Sequence, residues 1–79
     1  MKLPREISGA DLAKLLKKYS YEITRQTGSH IRLTTTINGE HHITIPAHKD
    51  LKTGTLSGIL NDVAVHFKIN KGDLIKELF

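Results

Sequence analysis

The 79-residue chain predicts an α+β domain: a helix, a three-stranded antiparallel meander, a second helix and a short last helix. Three observations carry this. Leucines recur at helical spacing over residues 12–19, apolar residues alternate with polar ones over 21–45 on both sides of an Asn38-Gly39 pair, and helical spacing returns from Leu56. Each element has one apolar face. The simplest packing lays the helices on one face of the sheet and leaves the other face open.

Residues 1–7 read as an extended lead-in. Ser8 can cap the free N–H groups of the first helix, with Asp11 three residues on as a variant of the capping box. Leu12, Leu15, Leu16 and Tyr19 form its apolar stripe, and Lys14, Lys17 and Lys18 fall outside it. The period then changes to two. Tyr21 and Ile23 alternate with Glu22 and Thr24, which predicts a half-buried strand over about 21–27, broken by Gly28-Ser29. A second strand is expected over 30–37, with Ile31, Leu33, Thr35 and Ile37 on one face and His30, Arg32, Thr34 and Thr36 on the other. Asn38-Gly39 predicts a two-residue hairpin turn, because both residues tolerate positive φ. The third strand is expected over 40–45, with His41, Ile43 and Ile45 opposed to His42 and Thr44, and Pro46 ending it. A polar loop over 47–53 leads to a helix opened by Thr53 or Thr55, with a buried stripe of Leu56, Ile59, Leu60 and Val63. Asn70 caps a last helix, with Asp73 three residues on and Leu74, Ile75 and Leu78 inward. There is no repeat, low-complexity run or linker, so residues 1–79 are expected to form one domain. The element order matches that of the double-stranded-RNA-binding domain.

Composition narrows the function. A chain of this length buries only about 60% of its unfolded-state surface, so its core is modest and a partner can add to it. The absence of cysteine excludes disulfides and thiolate metal sites and fits a cytoplasmic location. No run approaches a membrane span, and Met1-Lys2-Leu3-Pro4-Arg5 has no apolar core behind it, so a signal peptide is not expected. Twelve Lys and Arg against eight Asp and Glu give a net charge of +4 and a pI near 9.6. That balance suits a polyanion, because each phosphate contact releases condensed counterions.

His30 is the strongest candidate for chemistry. It follows Gly28-Ser29 at a strand start, on the face opposite Ile31 and Leu33, so its ring should be accessible. An imidazole can exchange protons near neutral pH. RNA brings its own nucleophile, the 2′-hydroxyl. A positioned His could take that proton or protonate the departing 5′-oxygen, and neither step needs a metal. Arg25 and Arg32 flank the turn and can hold phosphate with paired N–H donors, although strand alternation does not guarantee that they share a face with His30. Adjacent His41 and His42 point to opposite faces of a strand and do not easily ligate one ion, so neither metal nor cofactor is expected. His48, with Lys49 and Lys52 nearby, could bind phosphate or assist His30. His66, beside Phe67 near a helix end, reads as structural. Lys52-Thr53-Gly54-Thr55 lies at a helix start, where free N–H groups favour an anion, but it is not a P-loop. Ser29 lacks the Gly-x-Ser-x-Gly elbow of a hydrolase nucleophile and is placed instead among the RNA contacts.

Three blocks in order carry a resemblance: Ser8-Gly9 with the Leu12/Leu15/Leu16 helix and Arg25-Gln26-x-Gly28-Ser29-His30, then Ile45-Pro46-x-His48, then Leu51-Lys52-x-Gly54-Thr55-Leu56-x-x-Ile59-Leu60. Together they resemble the HicA (YcfA-like) toxin family over roughly residues 8–65. The resemblance implies a small ribonuclease of double-stranded-RNA-binding-like fold that cleaves messenger RNA and is held inactive by a HicB antitoxin. It implies His30, the histidine after Gly-Ser, as the catalytic residue. Many relatives have a second histidine directly after it, where this chain has Ile31. Two other readings stand beside this one. A non-catalytic RNA-binding domain of the double-stranded type would read shape, 2′-hydroxyls and phosphates, but no dense lysine cluster opens the 55–65 helix. A pure protein-interaction domain would use the surface for an acidic partner.

Overall fold

The computed structural model describes residues 3–4 and 6–79. Met1, Lys2 and Arg5, which belong to the expected lead-in and to the segment read as no signal peptide, lie outside the described residues. The element order is α1 (Gly9–Leu15) with a 3₁₀ turn at Leu16–Tyr19, β1 (Glu22–Thr27), β2 (His30–Thr35), β3 (His41–Pro46), α2 (Thr53–Phe67) and α3 (Lys71–Leu78). The strands form one antiparallel sheet in the order β1-β2-β3. This is the α+β, α-β-β-β-α layout that the sequence predicts, with the short extra helix at the end.

The helix starts are built as expected. Ser8 Oγ accepts from Asp11 N at 3.0 Å, and Asn70 Oδ1 accepts from Gly72 N and Asp73 N at 2.7 and 3.2 Å. α2 begins at Thr53, with Lys52 as a cap that offers no side-chain acceptor. The core lies between the sheet and the helices. Ile31, Leu33, Ile43 and Ile45 from the sheet meet Leu12, Leu16, Leu56, Leu60, Val63 and Leu74 from the helices, all of them buried. The alternate strand residues His30, Arg32, His42 and Thr44 are exposed on the opposite, uncovered face.

α1 meets the exit of β3 backbone to backbone. Gly9 N donates to His48 O at 3.0 Å. A Cβ at Gly9 would overlap the Pro46 carbonyl oxygen and stand 3.1 Å from its carbon. The glycine is required here for space. One layer on, Ala47 N donates to Ser29 O at 2.7 Å and His30 pairs with Pro46. The close approach of α1 therefore supports the turn that carries His30.

Three details differ from the sequence reading. β1 is not half-buried: all six of its residues are exposed, including Ile23 at 48%. It is an edge strand, and α1 and α2 pack on β2 and β3 instead. Ile37 is exposed at 52% and lies beyond the end of β2. The Asn38-Gly39 pair does adopt positive φ, 58° and 96°, yet it sits inside a five-residue connection, because the last strand pair is Thr35–His41. The end of α2 takes hold of this loop. His66 Nε2–H donates to Ile37 O at 2.9 Å, Asn38 Nδ2 donates to His66 O at 2.9 Å, and the Thr35 hydroxyl accepts from Ile37 N at 3.2 Å. Those bonds replace the ladder that a two-residue hairpin would have made.

At this end of the sheet His41 turns inward and stacks on His66, with ring centroids 4.4 Å apart. Its Nδ1 lies 2.7 Å from the hydroxyl of the fully buried Tyr21. Burial and then the neighbouring Asp62 push the Tyr21 phenol up to about 12. Burial first, and then His66, holds the His41 imidazole below its ordinary value, against the opposing pull of Asp62. His66 is thus a structural residue, as expected.

Candidate active site

The turn Gly28-Ser29 joins β1 to β2, since Thr27 and His30 are direct partners. Gly28 takes a positive φ of 42°, and Ser29 is not among the positive-φ residues. A positive φ at the first turn residue alone is the pattern of a type II′ turn, where glycine is favoured. The turn delivers His30 to the first position of β2 with an exposed ring. Ser29 Oγ lies 3.3 Å from His30 Nδ1, so the hydroxyl can hold that nitrogen in either tautomer.

A concavity of about 230 Å³ opens beside this ring on the uncovered face of the sheet. Arg25, Thr27, His30, Arg32 and Thr44 line it. The placement of Arg25 depends on a β-bulge. Ile23 pairs with Leu33 but Arg25 pairs with Arg32, so Thr24 and Arg25 together oppose one residue of β2. In an unbroken ladder Arg25 would oppose Ile31 and turn to the helix side. The bulge puts it on the face of His30 and Arg32.

The electrostatics follow from this register. Arg25 and Arg32 are direct cross-strand partners of like charge, an arrangement that is unfavourable by itself. No carboxylate lines the concavity, and among the described residues neither arginine forms an ion pair. Two guanidinium groups and an imidazole thus converge on a space with hydroxyls at its edge. An anion between the arginines would offset their repulsion and accept from both forks.

Of the residues selected from sequence, the structure brings Arg25, Ser29, His30 and Arg32 together. His48, Lys49 and Lys52 are exposed but do not line the concavity. The carbonyl of His48 ties to Gly9, and Lys52 stands at the start of α2. His41 and His42 do take opposite faces of β3, the first half-buried and the second exposed. Thr27 and Thr44 were not singled out by sequence. Their signal was the register: Thr27 is the hairpin partner of His30, and Thr44 is the partner of Arg32. Among the described residues no three His, Asp or Glu side chains converge as a metal site would require, and no helix is long and apolar enough to cross a membrane.

The comparisons identify the family. A model described as HicA toxin of bacterial toxin-antitoxin matches residues 9–65. No curated protein and no solved structure gives a significant match. The match spans most of the 79 residues, and the chain belongs to the HicA toxin family.

Proposed function

We propose that this toxin is a metal-independent endoribonuclease that cleaves messenger RNA in the cytoplasm, with His30 as its proton-transfer residue. The observation that carries the reading is the unpaired arginine couple beside an exposed histidine: Arg25 and Arg32 face each other across the strands and share one concavity with His30. A phosphodiester fits that set. The 2′-hydroxyl oxygen attacks phosphorus, the bond to the 5′-oxygen breaks, and a 2′,3′-cyclic phosphate and a free 5′-hydroxyl result. One proton leaves the 2′-oxygen and one reaches the 5′-oxygen. His30 carries one of these transfers, as base or as acid. Arg25 and Arg32 offset the charge that builds on the non-bridging oxygens. Ser29 orients the ring through Nδ1. His48, Lys49 and Lys52 lie outside the concavity and would extend the RNA contact along the neighbouring loop.

As a toxin of a toxin–antitoxin pair the protein has a partner, and a HicB-type antitoxin that covers the concavity would block the RNA sterically. The test is an RNA with a single 2′-deoxynucleotide at the cleaved position. Loss of cutting at that bond alone, with a cyclic phosphate at the other sites, supports the reading. Cutting at the deoxy position overturns it. Salt-dependent binding of duplex RNA with no cleavage at all would favour the non-catalytic RNA-binding alternative.

A further inference from the structure

The uncovered face of the sheet continues beyond the concavity to a second, ordered group of polar side chains. Thr24 Oγ1 lies 3.0 Å from Thr34 Oγ1, and Thr34 Oγ1 lies 2.7 Å from His42 Nδ1. His42 Nε2–H donates to Glu40 Oε2 at 3.2 Å. The Thr34 hydroxyl, which can donate or accept, holds Nδ1 on the other side of the ring. Both edges of the imidazole are therefore held, while its side chain stays 40% exposed. The plane of the ring is fixed and open.

His42 shares its face with the candidate active site. His30, Arg32 and Thr34 alternate along β2 on the uncovered side, and Thr34 is the direct partner of His42 on β3. Thr34 stands four positions along β2 from His30, a distance of about 13 Å. The other large rings of the sheet region turn away: Tyr21 is buried, Tyr19 and Phe67 pack against the core, and His41 stacks on His66. Only His30 and His42 among the sheet's rings lie on the open face. Single-stranded RNA is held by stacking unpaired bases on aromatic or imidazole planes while cations track the phosphates. Arg32 lies between the levels of the two histidines along β2, with Arg25 beside it on β1.

We infer that His42, pinned by Thr34 and Glu40, is a base-stacking subsite for single-stranded RNA, and that it binds a base beyond the two nucleotides that flank the cleaved phosphate. The inference rests on the ribonuclease reading and deepens it. It makes the open sheet face a track that runs from His30 past the arginine couple to His42. The Glu40 carboxylate keeps phosphate away from this end, so a base rather than a phosphate is the group received.

Two substrates separate the sites. A dinucleotide reaches only the concavity at His30, and a single-stranded hexanucleotide spans both. His42→Ala is expected to lower kcat/KM on the hexanucleotide by about tenfold, the scale of one lost base stack. The loss is confined to the longer substrate. His42→Phe keeps the plane without the hydrogen bonds and is expected to recover most of it. Equal losses on both substrates, or none on either, overturn the subsite. A binding measurement stands independently of cleavage: a 2′-O-methyl hexanucleotide is expected to shift the His42 ring resonances in the NMR spectrum. If the wild-type chain cleaves neither RNA, the ribonuclease reading fails. The subsite then stands or falls on that shift, and unmoved His42 resonances overturn it.

Discussion

Replacing Gly9 by alanine reverses a usual expectation. Within a helix, Gly→Ala normally stabilises by about 1 kcal/mol, because glycine loses more backbone entropy on folding. Here the added Cβ would overlap the Pro46 carbonyl oxygen and press to 3.2 Å on Ile45 Cγ2. The obstacle is backbone, held by the Gly9 N–His48 O bond on one side and the His30–Pro46 pairing on the other. It cannot swing away as a flexible side chain could. Overpacking of this kind costs about 1–3 kcal/mol, and stretching the Gly9–His48 hydrogen bond adds roughly 0.5–1.5 kcal/mol. Against these stands the helix-propensity gain. The net destabilisation is therefore about 1–3 kcal/mol, which lowers Tm by roughly 5–20 °C in a domain of this size. Thermal unfolding followed by circular dichroism measures it, with Ala10→Gly at the exposed neighbouring position as the control for propensity alone. A Tm equal to or above wild type in Gly9→Ala refutes the argument. The same variant should lose RNA cleavage at temperatures where it remains folded, because Pro46 and Ala47 support His30 and Ser29.

Other outcomes follow from named contacts. Arg25→Ala should keep or slightly raise Tm, since it removes a like-charge cross-strand pair, while it weakens RNA binding and reduces the magnitude of the salt slope by about 0.7; a lower Tm with unchanged RNA affinity counts against the role given to Arg25. Asn70→Ala should cost about 0.5–2 kcal/mol through loss of the acceptor for Gly72 N and Asp73 N, read as a lower urea midpoint, and an unchanged midpoint contradicts the cap. His41 is held below its ordinary value of 6.5 in the folded chain, so below about pH 6.5 the unfolded chain binds the extra proton and stability falls as the pH drops towards the depressed folded value. His41→Phe should flatten that acid limb of the Tm–pH curve; an unaltered limb would assign it to other groups.

Much of the fold was readable because its signals are local. Ser8 and Asn70 cap helices through residues two or three positions away, and the leucine stripes of α1 and α2 need only the period of a helix. What escaped depended on partners distant in sequence. The exposure of β1 follows from its edge position and from where the helices pack, and neither is written in its own six residues. The five-residue connection at 36–40 exists because His66, nearly thirty residues on, takes the Ile37 carbonyl. The candidate site divides in the same way. Gly28-Ser29-His30 announces itself by type and spacing. The face taken by Arg25 was left open in the sequence, since it is decided by a bulge at Thr24 that belongs to a pair of strands. Thr27 and Thr44 became visible only when the register was known.

The most direct test of the central claim is cleavage of a single-stranded messenger RNA by the purified chain, with chelator present, beside His30→Ala. His30 is exposed, and among the described residues its side chain is bonded only to the neighbouring Ser29, so the variant should fold as wild type does. Cutting by the wild type and none by the variant, with matching circular dichroism and RNA affinity, is the result expected of a metal-independent ribonuclease centred on His30. Undiminished cutting by His30→Ala, or no cutting by the wild type, contradicts it.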